Sequence, residues 1–301
     1  MQVRIAVPAT VANLGPGFDV LALALELQNE VVATRTGEPG LSVDPGAAAP
    51  DELRDPARNL VTRAYTATCA ELGVLPAGVH FECTNRIPFR RGLGSSAAAA
   101  LAGALCATAL HAASWDEQHI LRWVSGIEGH PDNAAAALFG GLVIVTPGAP
   151  TVNMDVPDEL RAVIFVPDLE LSTALARTVV PQAFTRADAV FNAARCALLV
   201  RAVALRDWAT LGIAMQDRWH QPPRTALFPQ LPAIIDAAVG AGARGAAMSG
   251  AGPSVVALTD GDTEPVAAAM VAAARDGGVG GAAIHSRVRN WGARVDVSAS
   301  A

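Results

Sequence analysis

The chain contains no lysine; all 22 of its Lys-plus-Arg positions are arginine. That absence removes mechanisms centred on lysine: a P-loop with its phosphate-contacting lysine, the strand lysine of protein kinases, and any Schiff-base or pyridoxal chemistry. A phosphate handled by this chain must be met by backbone amides, arginine, a helix dipole or a metal. Basic clusters are also missing and the formal net charge is −6, so nucleic acid is not an expected partner. No apolar run reaches the ~20 residues that cross a bilayer, and no membrane association is expected. The opening Met1-Gln2-Val3-Arg4-Ile5-Ala6-Val7 is too short for a signal peptide and reads as a strand. Four cysteines, Cys69, Cys83, Cys106 and Cys196, lack C-x-x-C spacing. They read as buried free thiols of a reducing, cytoplasmic setting.

What is present is a chain of 301 residues, 51% hydrophobic and only 17% charged, long enough for a large core and about two domains. Residues 3–8 and 20–36 read as strands, and 37–57, rich in Gly, Pro, Asp and Ala, as a surface excursion. Helical patterns cover 59–72, 95–111, 115–126 and 134–139, with strands at 79–84 and 142–146. The Pro/Gly-rich segment Pro147–Pro157 is the expected boundary, giving parts 1–155 and 156–301. Beyond it come strands at 161–167, 246–248, 254–258 and 282–288, and helices at 173–181, 184–205, 207–218, 231–241 and 264–276. The irregular alternation predicts an α+β fold. The one low-complexity tract is the tail 298–301.

The most informative segment is Pro88-Phe89-Arg90-Arg91-Gly92-Leu93-Gly94-Ser95-Ser96-Ala97. It reads as a glycine-hinged loop running into an alanine-rich helix, with Ser95 or Ser96 expected as its cap. The open N–H groups of a first helical turn and the positive end of its dipole form an anion site.

Two more loops stand beside it: Pro8-Ala9-Thr10-Val11-Ala12-Asn13-Leu14-Gly15-Pro16-Gly17-Phe18-Asp19, and Ala247-Met248-Ser249-Gly250-Ala251-Gly252-Pro253-Ser254. In order and spacing the three resemble the motifs of the GHMP small-molecule kinases, over most of the chain from about residue 3 to residue 258. The first loop and Glu128-Gly129-His130-Pro131-Asp132-Asn133 are similar to the homoserine-phosphorylating branch of that family. Val11, Ala174-Leu175 and Pro223 depart from residues common in that branch.

The resemblance implies a two-part α+β fold, with an N-terminal part like the second domain of ribosomal protein S5 and a ferredoxin-like C-terminal part. It implies transfer of a phosphoryl group from ATP, with Mg²⁺, to the side-chain hydroxyl of L-homoserine in threonine biosynthesis. On the same ground Pro88, Arg91, Gly92, Leu93, Gly94, Ser95, Ser96 and Ala97 wrap the ATP phosphates, and Ser96 and Glu128 are the metal ligands. Asn133, Asp132 and Glu128 are the catalytic set, with Asp132 either a base or a helix N-cap; His130 shapes the loop. Asn13, Asp19, Asn133, Thr173, Arg177 and Arg224 hold the amino acid: Asp19 toward the ammonium, the two arginines toward the carboxylate. Asn59-Leu60-Val61 resembles the border of the adenine pocket. A homodimer is left open. The alternatives are another GHMP kinase with a different small alcohol and a ligand-binding relative without catalysis. A dinucleotide oxidoreductase fails because the strand-GxGxxG-helix spacing is missing.

Overall fold

The structure is a computed structural model that describes residues 1–47 and 49–298; the tail expected at 298–301 lies, apart from Ser298, outside them. Two sheets organise the chain. The first is built on a long antiparallel hairpin of β1 (Gln2–Asn13) and β2 (Gly17–Arg35), whose register runs from Gln2↔Thr34 to Asn13↔Gly17. β1 outruns the expected strand 3–8 because its far half, Pro8 to Asn13, is buried on both faces and shows no alternation. β2 also pairs with β4 (Val79–Thr84), and β4 with a short parallel edge strand β3 (Leu41–Asp44) inside the expected excursion.

Helices α1 (Leu60–Glu71), α2 (Ser95–Leu110), α3 (Glu117–Glu128) and α4 (Asp132–Phe139) cover one side of this sheet. α2 is apolar almost all round and buried along most of its length, so it is the central helix of the layer. Its alanines add little bulk, which lets α1, α3, α4 and β1 all pack against it. β5 (Leu142–Ile144) pairs with β2, and β6 (Val152–Met154) pairs with β5 within the expected boundary segment.

The second sheet has the order β10-β7-β9-β8. It comprises β7 (Arg161–Pro167), β8 (Gly245–Met248), β9 (Val255–Thr259) and β10 (Gly281–Arg287), all antiparallel. Between β7 and β8 lie α5 (Thr173–Thr178), α6 (Arg186–Leu205), α7 (Leu211–Ala214), α8 (Gln221–Arg224) and α9 (Leu231–Gly240). α10 (Glu264–Asp276) joins β9 to β10 and packs beside α9 on the sheet. That strand order and connectivity is the ferredoxin-like arrangement.

The helix expected at 207–218 is instead a 3₁₀ turn at Trp208–Thr210, the short α7, and a loop. The loop forms because the Asp217 carboxylate accepts the N–H groups of Trp219, His220 and Gln221 and starts a new turn there. A final strand, β11 (Arg294–Ser298), returns to the first sheet and pairs with β1, so the chain beyond residue 156 contributes to both sheets. It is exposed throughout, and backbone pairing, not an apolar pattern, places it. Among the described residues no helix is long and apolar enough to cross a membrane.

Candidate active site

A cleft of about 1100 Å³ lies between the first sheet with its helices and the segments that connect the strands of the second. One wall is the loop before α2. Gly92 and Gly94 have φ of 74° and 70°, in the left-handed region. A Cβ on Gly92 would lie 2.4 Å from the Ser249 carbonyl oxygen, and one on Gly94 2.1 Å from Thr10 Oγ1, so neither position admits a side chain without movement. The loop is braced from two directions. Leu93 O accepts from Thr10 N at 3.1 Å, and Arg91 O from Ser254 N at 3.3 Å. Gly92 O accepts from Ser249 Oγ at 2.6 Å. The turn from Ser249 to Ser254 thus buttresses the loop.

The expected serine cap is not formed. Gly94 is the N-cap of α2, no side chain caps it, and Ser95 and Ser96 are the first two helical residues. The first helical bond runs from Ala98 N to Gly94 O at 2.8 Å. The amides of Ser95, Ser96 and Ala97 precede it and have no intrahelical carbonyl to meet them. This is the donor set an anion requires. Arg91 lines the cleft but its guanidinium is tied back, Nη2 to Asp168 O at 3.1 Å and Nη1 to within 3.4 Å of Glu170. Pro88 is not among the residues that line the cleft.

The turn from α3 to α4 supplies the acidic side. Glu128 ends α3, which runs two residues past the helix expected at 115–126; Ser96 Oγ donates to its Oε1 at 2.8 Å. Burial, only partly offset by that bond and by His130, raises the Glu128 pKa. Among the described residues no three His, Cys, Asp or Glu side chains group as a metal site. One carboxylate and one hydroxyl beside an anion site still suit Mg²⁺, which takes few protein ligands and completes its shell with phosphate oxygens and water.

Asp132 is the first residue of α4, whose N-cap is Pro131, so the capping alternative for Asp132 is not realised. Its buried Oδ1 accepts from Asn133 N at 2.8 Å and Asn133 Nδ2 at 3.3 Å, and lies 2.8 Å from His130 Nδ1. Burial works against a charged His130, but the bond to Asp132 and its charge outweigh it and raise the imidazole pKa. Asn133 Oδ1 accepts from Thr10 Oγ1 at 2.7 Å. Thr10 is a site residue that sequence reasoning passed over; only its place in the first loop hinted at a role.

The remaining expected residues converge on the same cleft, but several are already engaged. Asn13 is buried; its Oδ1 accepts from Asp19 N at 3.1 Å and its Nδ2 donates to Gly250 O at 2.8 Å. Its amide therefore ties the first loop to the third. Asp19 and Arg177, expected at opposite ends of an amino acid, are partners of one another, with Nη2–Oδ1 at 2.7 Å and Nη1–Oδ2 at 3.0 Å. Arg224 is almost wholly buried, with Nε on Ala176 O and Nη1 on Gly250 O, both at 3.0 Å. Burial pushes its pKa down to about 10. Thr173 is exposed at the start of α5 and lines the cleft. The rest of the lining includes Leu53, Asn59, Val61, Cys83 and Phe89. Asn59 caps α1 by accepting from Val61 N at 2.9 Å.

With this geometry in view, comparison with known proteins is informative. Residues 59–141 match the model of the GHMP kinases N terminal domain, and residues 199–278 that of the GHMP kinases C terminal domain. The homoserine kinase of Nostoc punctiforme is 40% identical over 281 residues, 92% of each chain. That of Streptomyces coelicolor is 41% identical over 267 residues, 87% of this chain and 85% of the relative. The crystal structure of homoserine kinase from Cytophaga hutchinsonii superposes with a TM-score of 0.87 at 29% identity, covering 98% of this chain and 97% of that one. A cleft with open helix amides on one wall and the Asp19–Arg177 ion pair in its lining thus sits in a chain that belongs to the homoserine kinase family of the GHMP kinases.

Proposed function

We propose that the chain phosphorylates the side-chain hydroxyl of L-homoserine with ATP, giving O-phospho-L-homoserine and ADP. One observation carries the reading. The open amides of Ser95, Ser96 and Ala97 share a cleft with a carboxylate and two guanidiniums, Asp19, Arg177 and Arg224, that match the two charges of an amino acid. The amides take phosphate oxygens, one of the means open to a lysine-free chain. The apolar lining around Leu53, Val61 and Phe89 receives the adenine. Ser96 and Glu128 would hold Mg²⁺, which when bound neutralises charge on the transferring phosphoryl group. Asp19 turns from Arg177 to the substrate ammonium, Arg177 turns to its carboxylate, and Arg224, held by Ala176 O, Gly250 O and His220, meets that carboxylate from a fixed position. Asn133, fixed by Thr10 and Asp132, meets the substrate hydroxyl. Asp132 Oδ1 is occupied by His130 and Asn133, which leaves Oδ2 to accept the hydroxyl proton. Transfer then depends on alignment and charge stabilisation, which suits the loose transition state of phosphoryl transfer. The four cysteines are unpaired, as a reducing compartment keeps them, and the cytoplasm is the compartment we assign.

The test is a coupled ADP-release assay with Mg·ATP against L-homoserine, mevalonate, shikimate and galactose. Turnover with homoserine alone is expected. Turnover with another alcohol would retain the phosphate wall and discard the roles given to Asp19, Arg177 and Arg224.

A further inference from the structure

The first loop and α8 lie about two hundred residues apart in the chain and are joined by one fully buried side chain, His220. Its Nε2 is 2.6 Å from the Gly15 carbonyl, and its Nδ1 is 3.0 Å from Arg224 Nη1. A carbonyl only accepts and a guanidinium only donates. Both bonds exist together only if Nε2 carries the proton and Nδ1 presents its lone pair. His220 is therefore a neutral imidazole in one fixed tautomer. Burial, the leading cause, lowers its pKa to about 4, against the opposing charge of Asp217 and with the help of Arg224. The charged groups around it are Asp217, whose Oδ2 is 3.7 Å from Nε2, together with Arg224 and Asp19.

The surroundings leave the ring no freedom. Asp217 accepts the backbone N–H of His220 at 2.9 Å and is itself held by Asn192 Nδ2 at 2.6 Å. The imidazole lies against the Phe18 ring, with centroids 5.2 Å apart. The same Phe18 ring faces the guanidiniums of Arg177 and Arg224, 5.3 and 5.4 Å from its centroid. Gly15 sits between Asn13 and Asp19, and Gly250 O accepts from both Asn13 and Arg224. Asp19 and Arg224 are thus linked by two routes, one through Gly250 O and Asn13 and one through this imidazole and Gly15.

We propose that His220 is a positioning residue for the amino-acid end of the cleft: as an Nε2–H imidazole bridging the Gly15 carbonyl and the Arg224 guanidinium, it fixes the spacing at which one substrate's ammonium and carboxylate are both met. The role rests on the homoserine kinase reading above. It is not acid–base chemistry, because the ring is neutral and both of its nitrogens are engaged within the protein. Removing the ring nitrogens orphans the Gly15 carbonyl and strips Arg224 of an acceptor, and buried groups left unpaired move to find partners. The hydrogen bonds of the His220 ring run to Gly15 and Arg224 and not to the loop before α2, so its loss acts first on the amino-acid end of the site.

The experiment compares His220→Phe and His220→Gln with the unsubstituted chain in the ADP-release assay. His220→Phe keeps the ring and loses both bonds; its KM for L-homoserine rises about tenfold or more, the worth of one hydrogen bond to a charged group. Its KM for ATP stays within roughly twofold, since no ATP contact is altered. His220→Gln offers one acceptor and one donor and restores the homoserine KM in large part. An unchanged homoserine KM in His220→Phe, or an equal rise in both KM values, overturns the proposal. If His220→Phe does not fold, the ¹⁵N shifts of His220 in the unsubstituted chain decide. A neutral ring protonated at Nε2 supports the role, and any other form overturns it. Absence of homoserine turnover by the unsubstituted chain would sink the substrate assignment, and this role with it; turnover with an unchanged KM in His220→Phe sinks this role alone.

Discussion

Arg177→Ala separates what the Asp19–Arg177 pair does for the fold from what it does for the substrate. The two side chains are 32% and 35% exposed, so water screens the pair heavily. An ion pair this exposed contributes about 0–1 kcal/mol to folding, and its loss lowers the melting temperature by at most ~2–4 °C. The effect on substrate is larger, because the guanidinium that now grips Asp19 through two N–H groups is released to grip the substrate carboxylate. Hydrogen bonds to a charged group are worth about 1.5–3 kcal/mol. Part is regained, since Asp19 no longer has to leave an arginine before meeting the ammonium. A net loss of about 1.5–2 kcal/mol remains, which raises the homoserine KM by ~10–30-fold. Initial rates at saturating ATP give that KM, and the KM for ATP stays as it was. Arg177→Lys falls between, because an ammonium restores charge without the fork. A rise confined to the ATP KM, or no change in the homoserine KM, would refute the assignment of Arg177.

Other substitutions probe the phosphate end. Burial raises the Glu128 pKa, so the folded chain favours the protonated form. That contribution is present below the unfolded-state value of ~4.3 and is lost as pH rises through the raised value. Glu128→Gln therefore raises the melting temperature at neutral pH without Mg²⁺, gives no gain below pH ~4, and cuts kcat by about 10² or more. Equal gains at both pH values in thermal melts would refute the burial argument. Gly92→Ala forces a left-handed residue, costing ~1–2 kcal/mol, and drives its Cβ to 2.4 Å from the Ser249 carbonyl oxygen. Its kcat/KM for ATP falls more than about tenfold while circular dichroism is retained; an unchanged ATP dependence would show that the loop does not carry the phosphates.

The phosphate wall was legible in the sequence because it is local. Two glycines, two serines and an alanine run within one short stretch dictate a left-handed turn and an uncapped helix start. Even there the identity of the cap was misread, since serine's preference for that position yields to the positive φ that only Gly94 supplies readily. The substrate end was legible as residue types and not as partners. Nothing along the chain pairs Asp19 with Arg177, or Thr10 with Asn133, because those bonds close over 158 and 123 residues. His220 was invisible as a bridge for the same reason, its carbonyl partner lying 205 residues away. β3 and β11 escaped on other grounds: Leu41-Ser42-Val43-Asp44 and Arg294-Val295-Asp296-Val297-Ser298 alternate over only four and five residues, with two apolar positions each, too short a period to stand out from a loop.

The charges within the cleft show where its ligands must supply the missing ones. Asp19 has Arg177, and Asp132 has His130, each within 2.8 Å. Glu128 has only a serine hydroxyl as its hydrogen-bond partner, at 2.8 Å. The partners of Arg224 are two carbonyls and a neutral imidazole, none of them charged. An uncompensated buried charge is costly, and a fold retains one where function requires it. The surplus carboxylate touches Ser96 beside the open amides of α2, where a phosphate anion needs a cation to join it. The surplus guanidinium shares Phe18 with Arg177, where a carboxylate is the anion that fits. A neutral alcohol or sugar would answer the first of these and leave the second unmet. The placement of unpaired charge therefore favours a carboxylate-bearing acceptor over a neutral alcohol or sugar, on grounds independent of the identity of any relative, and Asp19, once parted from Arg177, is the group an amino acid's ammonium would add to that match.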